Sequence, residues 1–126
     1  MQRGQLWLDY DDGEEDEHWE ADITSAVLRN KSNEVIVEFS GHDSDEGRFS
    51  GSFSAKAHGP RYVGEGKFTV KGVTTSASVS FALVIEGELI SIDGTWRDSG
   101  DAEAHTLTAE WIEPLTNWGD SFVENR

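Results

Sequence analysis

Apolar and polar residues alternate one by one along most of this chain. The run from 77 to 85 has an apolar residue at every second position, with Ser78 and Ser80 between them. Successive side chains of a β-strand point to opposite faces, so a period of two is typical of strands with one buried and one solvated face. An amphipathic helix would instead need apolar residues three or four positions apart. The pattern therefore predicts an all-β protein.

Turn-forming residues divide the alternating pattern into eight segments. Clusters of Gly, Asn, Asp and Ser separate them, and Pro60 and Pro114 stand at segment ends, where a missing backbone N–H costs least. The connections are too short for parallel crossovers, so we expect an antiparallel meander. The predicted strands cover residues 5–10, 18–29, 34–41, 47–57, 61–71, 75–86, 88–97 and 103–113.

Each of the eight predicted strands has one apolar face, and no helix is predicted that could cover these faces. Closing the sheet into a barrel buries them, and it also removes exposed strand edges. We therefore expect a single domain over residues 1–126. It would consist of a small barrel with core strands over about 5–113, an acidic N-terminal segment, and a short C-terminal tail at 114–126.

Glycine recurs on the inward-facing positions of the long central strands. Gly51, Gly64 and Gly66 lie in this series. A missing side chain there either permits tight coiling of the strand or leaves space inside the barrel. The sequence therefore leaves open whether the interior holds a small cavity or is full.

A glycine also precedes an aromatic residue by two positions at three places: Gly51-Ser52-Phe53, Gly66-Lys67-Phe68 and Gly94-Thr95-Trp96. Together with the eight-strand meander, this pattern resembles the calycin group of barrels, the lipocalins and avidins, over residues 47–113. In those families a Gly-x-Trp element belongs to the first strand, whereas here it falls in the seventh predicted strand. The resemblance implies the barrel fold and transfers no ligand-binding residue.

The chain is strongly acidic. It has 25 Asp and Glu residues against 10 Lys and Arg, a formal net charge of −15, and nine of the acids lie between Asp9 and Asp22. Phosphate backbones and anionic membrane surfaces bind clusters of Lys and Arg. We therefore expect no direct nucleic-acid binding and no membrane binding, and the charge favours a cationic partner.

The N-terminal sequence and the absence of cysteine bear on location. The chain reaches Asp9 before a seven-residue apolar stretch can form, so we expect no signal peptide. Without cysteine there are no disulfides and no thiolate metal sites. These features predict a cytoplasmic protein.

Motifs for metal binding and catalysis do not match their required spacings. The histidines at positions 18, 42, 58 and 105 show no i, i+2 or i, i+4 pairing, and the acidic fragments 9–14 and 43–47 do not fit a twelve-residue calcium loop. The glycines at 59–64 lack the Lys-Ser/Thr of a P-loop. The sequence favours a non-enzymatic protein without a metal or cofactor, and His105, in the last strand, is the histidine of most interest.

One function that fits these features is the binding of a small apolar or aromatic ligand in the barrel or at its mouth. Ligand pockets are lined mainly by apolar and aromatic side chains with a few polar groups. The candidates are the aromatic residues of the central predicted strands: Phe53, Phe68, Phe81 and Trp96.

The alternative function is an acidic interaction module that binds a basic protein, such as an inhibitor, an immunity-type protein or a mimic of nucleic-acid charge. Aromatic residues among the acids would anchor such an interface. Salt would weaken this binding strongly and would leave a cavity ligand almost unaffected. The candidate residues are Trp7, Tyr10, Glu14, Glu15, Asp16, Glu17 and Trp19.

Overall fold

A computed structural model describes residues 4–11, 16–29, 33–44, 46–100 and 104–112 of the chain. Within these ranges it contains eight β-strands. All eight predicted strands are confirmed, with ends that differ by at most two residues. The strands are β1 (Gly4–Asp11), β2 (Asp16–Arg29), β3 (Glu34–Asp43), β4 (Gly47–His58), β5 (Arg61–Val70), β6 (Val73–Glu86), β7 (Leu89–Asp98) and β8 (His105–Ile112).

Each strand pairs with the next one in antiparallel orientation, and β1 also pairs with β8. This last pairing sets Leu6 opposite Ala109 and Leu8 opposite Leu107. The sheet is therefore a closed barrel, and the predicted antiparallel meander is confirmed. Closure gives every strand two hydrogen-bonded neighbours. No helix among the described residues is long and apolar enough to span a bilayer.

The two ends of the barrel differ in the connections they carry. At the upper end lie the connections between β1 and β2, β3 and β4, β5 and β6, and β7 and β8. The lower end carries the start of β1, the end of β8 and the other three connections. The described residues of the acidic run from 9 to 22 thus belong to β1 and β2, whose paired ends lie at the upper end.

The barrel interior is packed with apolar side chains. Phe81 and Trp96 are at most 1% exposed, the fully buried side chains come from seven of the eight strands, and β5 adds partly buried side chains that pack against them. Gly66 makes room for one of these large rings: a Cβ at this position would lie 2.8 Å from two ring carbons of Trp96. The space that this glycine leaves is occupied by an indole, so the glycine at this position serves packing rather than an internal cavity.

A β-bulge in β2 changes which positions of that strand face inward. The pairing with β3 shifts between Ile23 and Ser25. Before the bulge Ala21 and Ile23 are buried, and after it the buried positions are Ala26 and Leu28. One extra residue moves the strand's buried set by one position, so a strict period of two does not describe β2.

The connection between β5 and β6 is a two-residue hairpin. Val70 pairs with Val73, and both intervening residues have positive φ, 54° at Lys71 and 78° at Gly72. This is the backbone that a type I′ turn requires, and it matches the twist of the flanking strands. Glycine adopts it without strain, whereas lysine does not.

Candidate functional site

Four aromatic side chains from four strands meet inside the upper end of the barrel. Trp19 of β2 contacts Phe49 of β4 and Phe68 of β5 edge-on, with ring centroids 5.0 and 5.1 Å apart. Phe68 stacks on Phe49 at 5.3 Å and approaches Trp96 of β7 at 6.5 Å. Edge-to-face and offset stacking are favourable geometries for aromatic rings. The cluster therefore forms a fixed aromatic wall where the core meets the upper end.

A pocket of about 190 Å³ lies against this wall. Trp19 and Phe68 are partly buried and pack on the core, whereas Trp96 is fully buried and closes the pocket from below. The remaining lining comes from the ends of β1, β5, β6, β7 and β8. The lining residues are Leu8, Trp19, Phe68, Val70, Thr75, Trp96, Asp98 and His105.

Two polar side chains of this pocket lie close to each other, and one of them is hydrogen-bonded to the aromatic wall. The indole N–H of Trp96 donates a hydrogen bond of 2.9 Å to Oδ1 of Asp98. Nε2 of His105 lies 3.6 Å from Oδ2 of the same carboxylate. The side chains of His105 and Asp98 are 12% and 28% exposed. Asp98 follows Trp96 by two positions, so both point into the barrel from one face of β7.

Among the described residues, the lining contains one carboxylate, one imidazole and no lysine or arginine. An imidazole and a carboxylate together offer hydrogen-bonding nitrogen and oxygen atoms to a bound ligand. The aromatic wall offers apolar area, and the pair offers hydrogen bonding at one edge. This combination suits a small ligand with an apolar body and one polar group.

The four residues predicted to line a ligand site fall into two pairs in the structure. Phe68 and Trp96 line the upper pocket. Phe53 and Phe81 lie deeper, 2% and 0% exposed, and contact each other edge-on with centroids 5.5 Å apart. Their position is that of core packing residues below the pocket.

The structure also adds lining residues that the aromatic pattern did not single out. Asp98 shares the inward face of β7 with Trp96, and Thr75 shares that of β6 with Ala77. The alternation of inward and outward side chains along β6 and β7 was the sequence signal that could have placed both residues on the inward face. His105 was noted in the sequence, and its position in the pocket comes from its pairing with Trp96 across β7 and β8.

The two tryptophans predicted to bind a basic partner lie on opposite faces of the sheet. Trp19 points into the upper pocket. Trp7 is half-buried on the outer face of β1, opposite Glu20 of β2. The backbones of the other described members pair in the β1–β2 ladder, Tyr10 with Glu17 and Asp11 with Asp16. Glu14 and Glu15 lie outside the described residues, as does the tail at 114–126.

Other depressions lie on the outer surface of the barrel. They measure between about 410 and 610 Å³ and lie over β3, β4 and β5, lined mainly by hydroxyl and charged side chains. They are larger than the upper pocket, but no cluster of inward aromatic rings lines them. We therefore take the upper pocket as the candidate site. Among the described residues no group of three or more His, Asp or Glu side chains is arranged to hold a metal ion.

Comparison with protein-family models, with curated proteins and with solved structures found no match. The closed antiparallel barrel of eight strands agrees with the calycin resemblance at the level of architecture. Architecture alone does not assign function. The feature of this chain that bears on function is therefore the geometry of the upper pocket.

Proposed function

We propose that this protein is a non-enzymatic binding protein that holds a small ligand in the upper pocket, at the mouth of a calycin-like barrel in the cytoplasm. The observation that carries the proposal is the convergence of Trp19, Phe68 and Trp96 on one pocket whose edge bears Asp98 and His105. Apolar walls with a few placed polar groups are what small-molecule sites share.

The size of the pocket limits the ligand. Its volume of about 190 Å³ exceeds an apolar cavity of about 150 Å³ that holds a benzene molecule. It is smaller than the pockets of about 300–1,000 Å³ that take drug-sized ligands. The ligand is therefore a single ring or a short branched chain with a small substituent.

The packing of the barrel sets where this ligand lies. Trp96 and Phe81 fill the interior below the pocket, each at most 1% exposed. A ligand inside the barrel would have to displace these rings, at a cost of several kcal/mol for each buried aromatic side chain. The proposed ligand consequently binds at the mouth, above the Trp96 indole.

Two measurements test this proposal. Native mass spectrometry of protein recovered gently from its own host should show added mass of at most a few hundred daltons. NMR titration of isotope-labelled protein with a set of small aromatic compounds should shift the indole signal of Trp96 and the imidazole signals of His105. The shifts are expected because both groups line the pocket.

A matched pair of variants locates the binding. Phe68→Ala removes part of the pocket wall and should change the affinity of the compounds by about tenfold or more. Tyr62→Ala removes another half-buried aromatic side chain at the lower end, where it stacks on Phe81 at 5.6 Å, and should leave binding unchanged. Equal effects of the two variants, or no compound and no added mass at all, would contradict the proposal.

A second candidate function follows from the outer face of β1 and β2. Trp7 lies opposite Glu20 there, and the exposed carboxylates of Asp9 and Asp22 lie on the same two strands. An aromatic side chain surrounded by acids suits an interface with a basic protein, where charge steers the encounter and the ring anchors it. Trp7 would thus be the aromatic anchor of the acidic interaction module on the outer face of the barrel.

This second candidate has its own test. Affinity capture from host lysate at low salt should recover a basic protein that is released as salt rises through the physiological range. The double variant Glu14→Gln with Glu15→Gln should weaken the association. The control is Glu86→Gln with Glu88→Gln, two exposed acids of the lower hairpin, which removes the same charge elsewhere. Binding that changes neither with salt nor in the Glu14→Gln, Glu15→Gln double variant would exclude the acidic interaction module.

A further inference from the structure

We propose that the ligand of the upper pocket is a small organic cation, an amine with an aromatic or compact alkyl body whose ammonium group binds Asp98. The inference rests on the proposed function and adds the chemical class of the ligand. Three features of the pocket carry it: a positioned carboxylate, aromatic rings in the same lining, and the sign of the surrounding charge.

The carboxylate of Asp98 is positioned for a ligand at the edge of the pocket. The Trp96 N–H bonds to Oδ1 at 2.9 Å and fixes the orientation of the group. An ionised carboxylate has about four acceptor positions; the Trp96 N–H uses one on Oδ1, and Nε2 of His105 lies 3.6 Å from Oδ2, so positions remain for a ligand. Since Asp98 lines the pocket and retains 28% of its side-chain exposure, an ammonium group can donate to it from the pocket.

The aromatic wall is suited to the same charge. A cation near the face of an indole or phenyl ring is attracted by the ring quadrupole at distances up to about 6 Å, most strongly for tryptophan. Two of the three aromatic residues that line the pocket are tryptophans, Trp19 and Trp96, and the third is Phe68. The rings therefore favour a positive group over a neutral group of equal size.

The charges around the pocket act against the other ligand classes. Asp98 and His105 are the titratable groups among the described lining, and no lysine or arginine is present to bind an anion. A neutral apolar ligand would cover Asp98 and remove its water without replacing the hydrogen bonds, which is costly for a charged group. The net charge of −15 also raises the local concentration of cations around the whole protein.

The test uses three probes of nearly equal size: benzylammonium, benzyl alcohol and benzoate. We expect benzylammonium to bind about tenfold or more tightly than benzyl alcohol, as cation–π contacts and a paired carboxylate would give. Benzoate should bind most weakly. Binding is followed by NMR on the Trp96 indole and by isothermal titration calorimetry.

Two variants distinguish the contribution of the pocket carboxylate from that of the protein's overall negative charge. Asp98→Asn keeps an acceptor oxygen for the Trp96 N–H and nearly the same volume, and it should abolish the preference for the cation while benzyl alcohol still binds. Asp93→Asn removes the same charge from the exposed outer face of β7 and should preserve the preference. A preference that survives Asp98→Asn, or that falls equally in both variants, would overturn the inference.

The outcomes also separate this inference from the proposed function. Equal binding of benzyl alcohol and benzylammonium at the pocket would leave the small-ligand function standing and overturn its cationic class. If none of the three probes shifts the Trp96 signal and host-derived protein carries no small molecule, both proposals fail.

Discussion

The indole N–H of Trp96 donates a 2.9 Å hydrogen bond to Oδ1 of Asp98, two residues further along the same strand. Trp96 is 1% exposed and belongs to the core, whereas the Asp98 carboxylate lines the upper pocket. One hydrogen bond thus links the packing of the barrel to the candidate site. Because a buried indole needs a partner for its N–H, changes at Asp98 affect stability as well as binding.

Replacement of Asp98 by alanine should lower the free energy of unfolding by about 1–3 kcal/mol, because the buried Trp96 N–H loses its acceptor. Asp98→Asn keeps an acceptor oxygen and should cost less. Urea unfolding measures both changes. Asp93→Ala, on the exposed face of the same strand, is the control and should stay within about 0.5 kcal/mol of the parent. Equal losses for Asp98→Ala and Asp93→Ala would show that the bond contributes nothing.

Phe81→Ala and Phe68→Ala should lower the free energy of unfolding by different amounts. Phe81 is fully buried between Phe53 and Tyr62, and its truncation should lower the free energy of unfolding by about 3–5 kcal/mol. Phe68 is only partly buried, so less apolar area is lost and the cost should be smaller. Chemical denaturation of the two variants gives the comparison. A larger loss for Phe68→Ala would mean that the upper cluster, not the middle of the barrel, is the main source of stability.

Gly66→Ala should destabilise the barrel by about 1–3 kcal/mol through overpacking. The added methyl group would meet the Trp96 ring at 2.8 Å, and that indole cannot move without disturbing the floor of the pocket. The indole NMR signal of Trp96 should therefore shift together with the loss of stability. Ser78→Ala, on the exposed face of β6, serves as the control and should leave the signal in place.

Lys71→Asn should raise stability by up to about 1 kcal/mol, because asparagine tolerates the positive φ of this turn better than lysine. The ion pair of Lys71 with Glu46, 3.2 Å long between exposed side chains, is lost in the variant but contributes little. Thermal unfolding measures the gain. The control is Lys67→Asn, in β5 where the backbone is extended, and it should not raise the stability. A lower stability of Lys71→Asn would mean that the ion pair contributes more than the strain relieved in the turn.

Much of the fold could be predicted because strands and tight turns depend on residues that are close together in the sequence. The alternation at 77–85 and the short turn at Lys71-Gly72 each depend on residues close in sequence. The bulge at Thr24 was not predicted, since one extra residue changes which side chains face inward without any distinctive residue type. In β2 the sequence therefore indicated a strand and did not specify its buried face.

The candidate site was predicted only in part, for a related reason. Phe68 and Trp96 were identified as ligand-lining candidates from their residue type and inward position, and Trp19 was assigned to a different surface. Asp98 was missed because a single carboxylate in a chain with 25 acids carries no signal by itself. The binding functions and the cytoplasmic location stay predictions.

The sequence by itself determined the all-β class, the eight strands and their antiparallel order, because alternation and turn residues act over neighbouring positions, and it predicted a barrel because eight apolar faces need burial without helices. Only the tertiary structure decided that the glycine at position 66 makes room for an indole, and that Trp19, Trp96, Asp98 and His105 meet at one end. These residues come from β2, β7 and β8, which are brought together only when β1 pairs with β8. Barrel closure is a long-range event, so its consequences for the site cannot be read from local patterns.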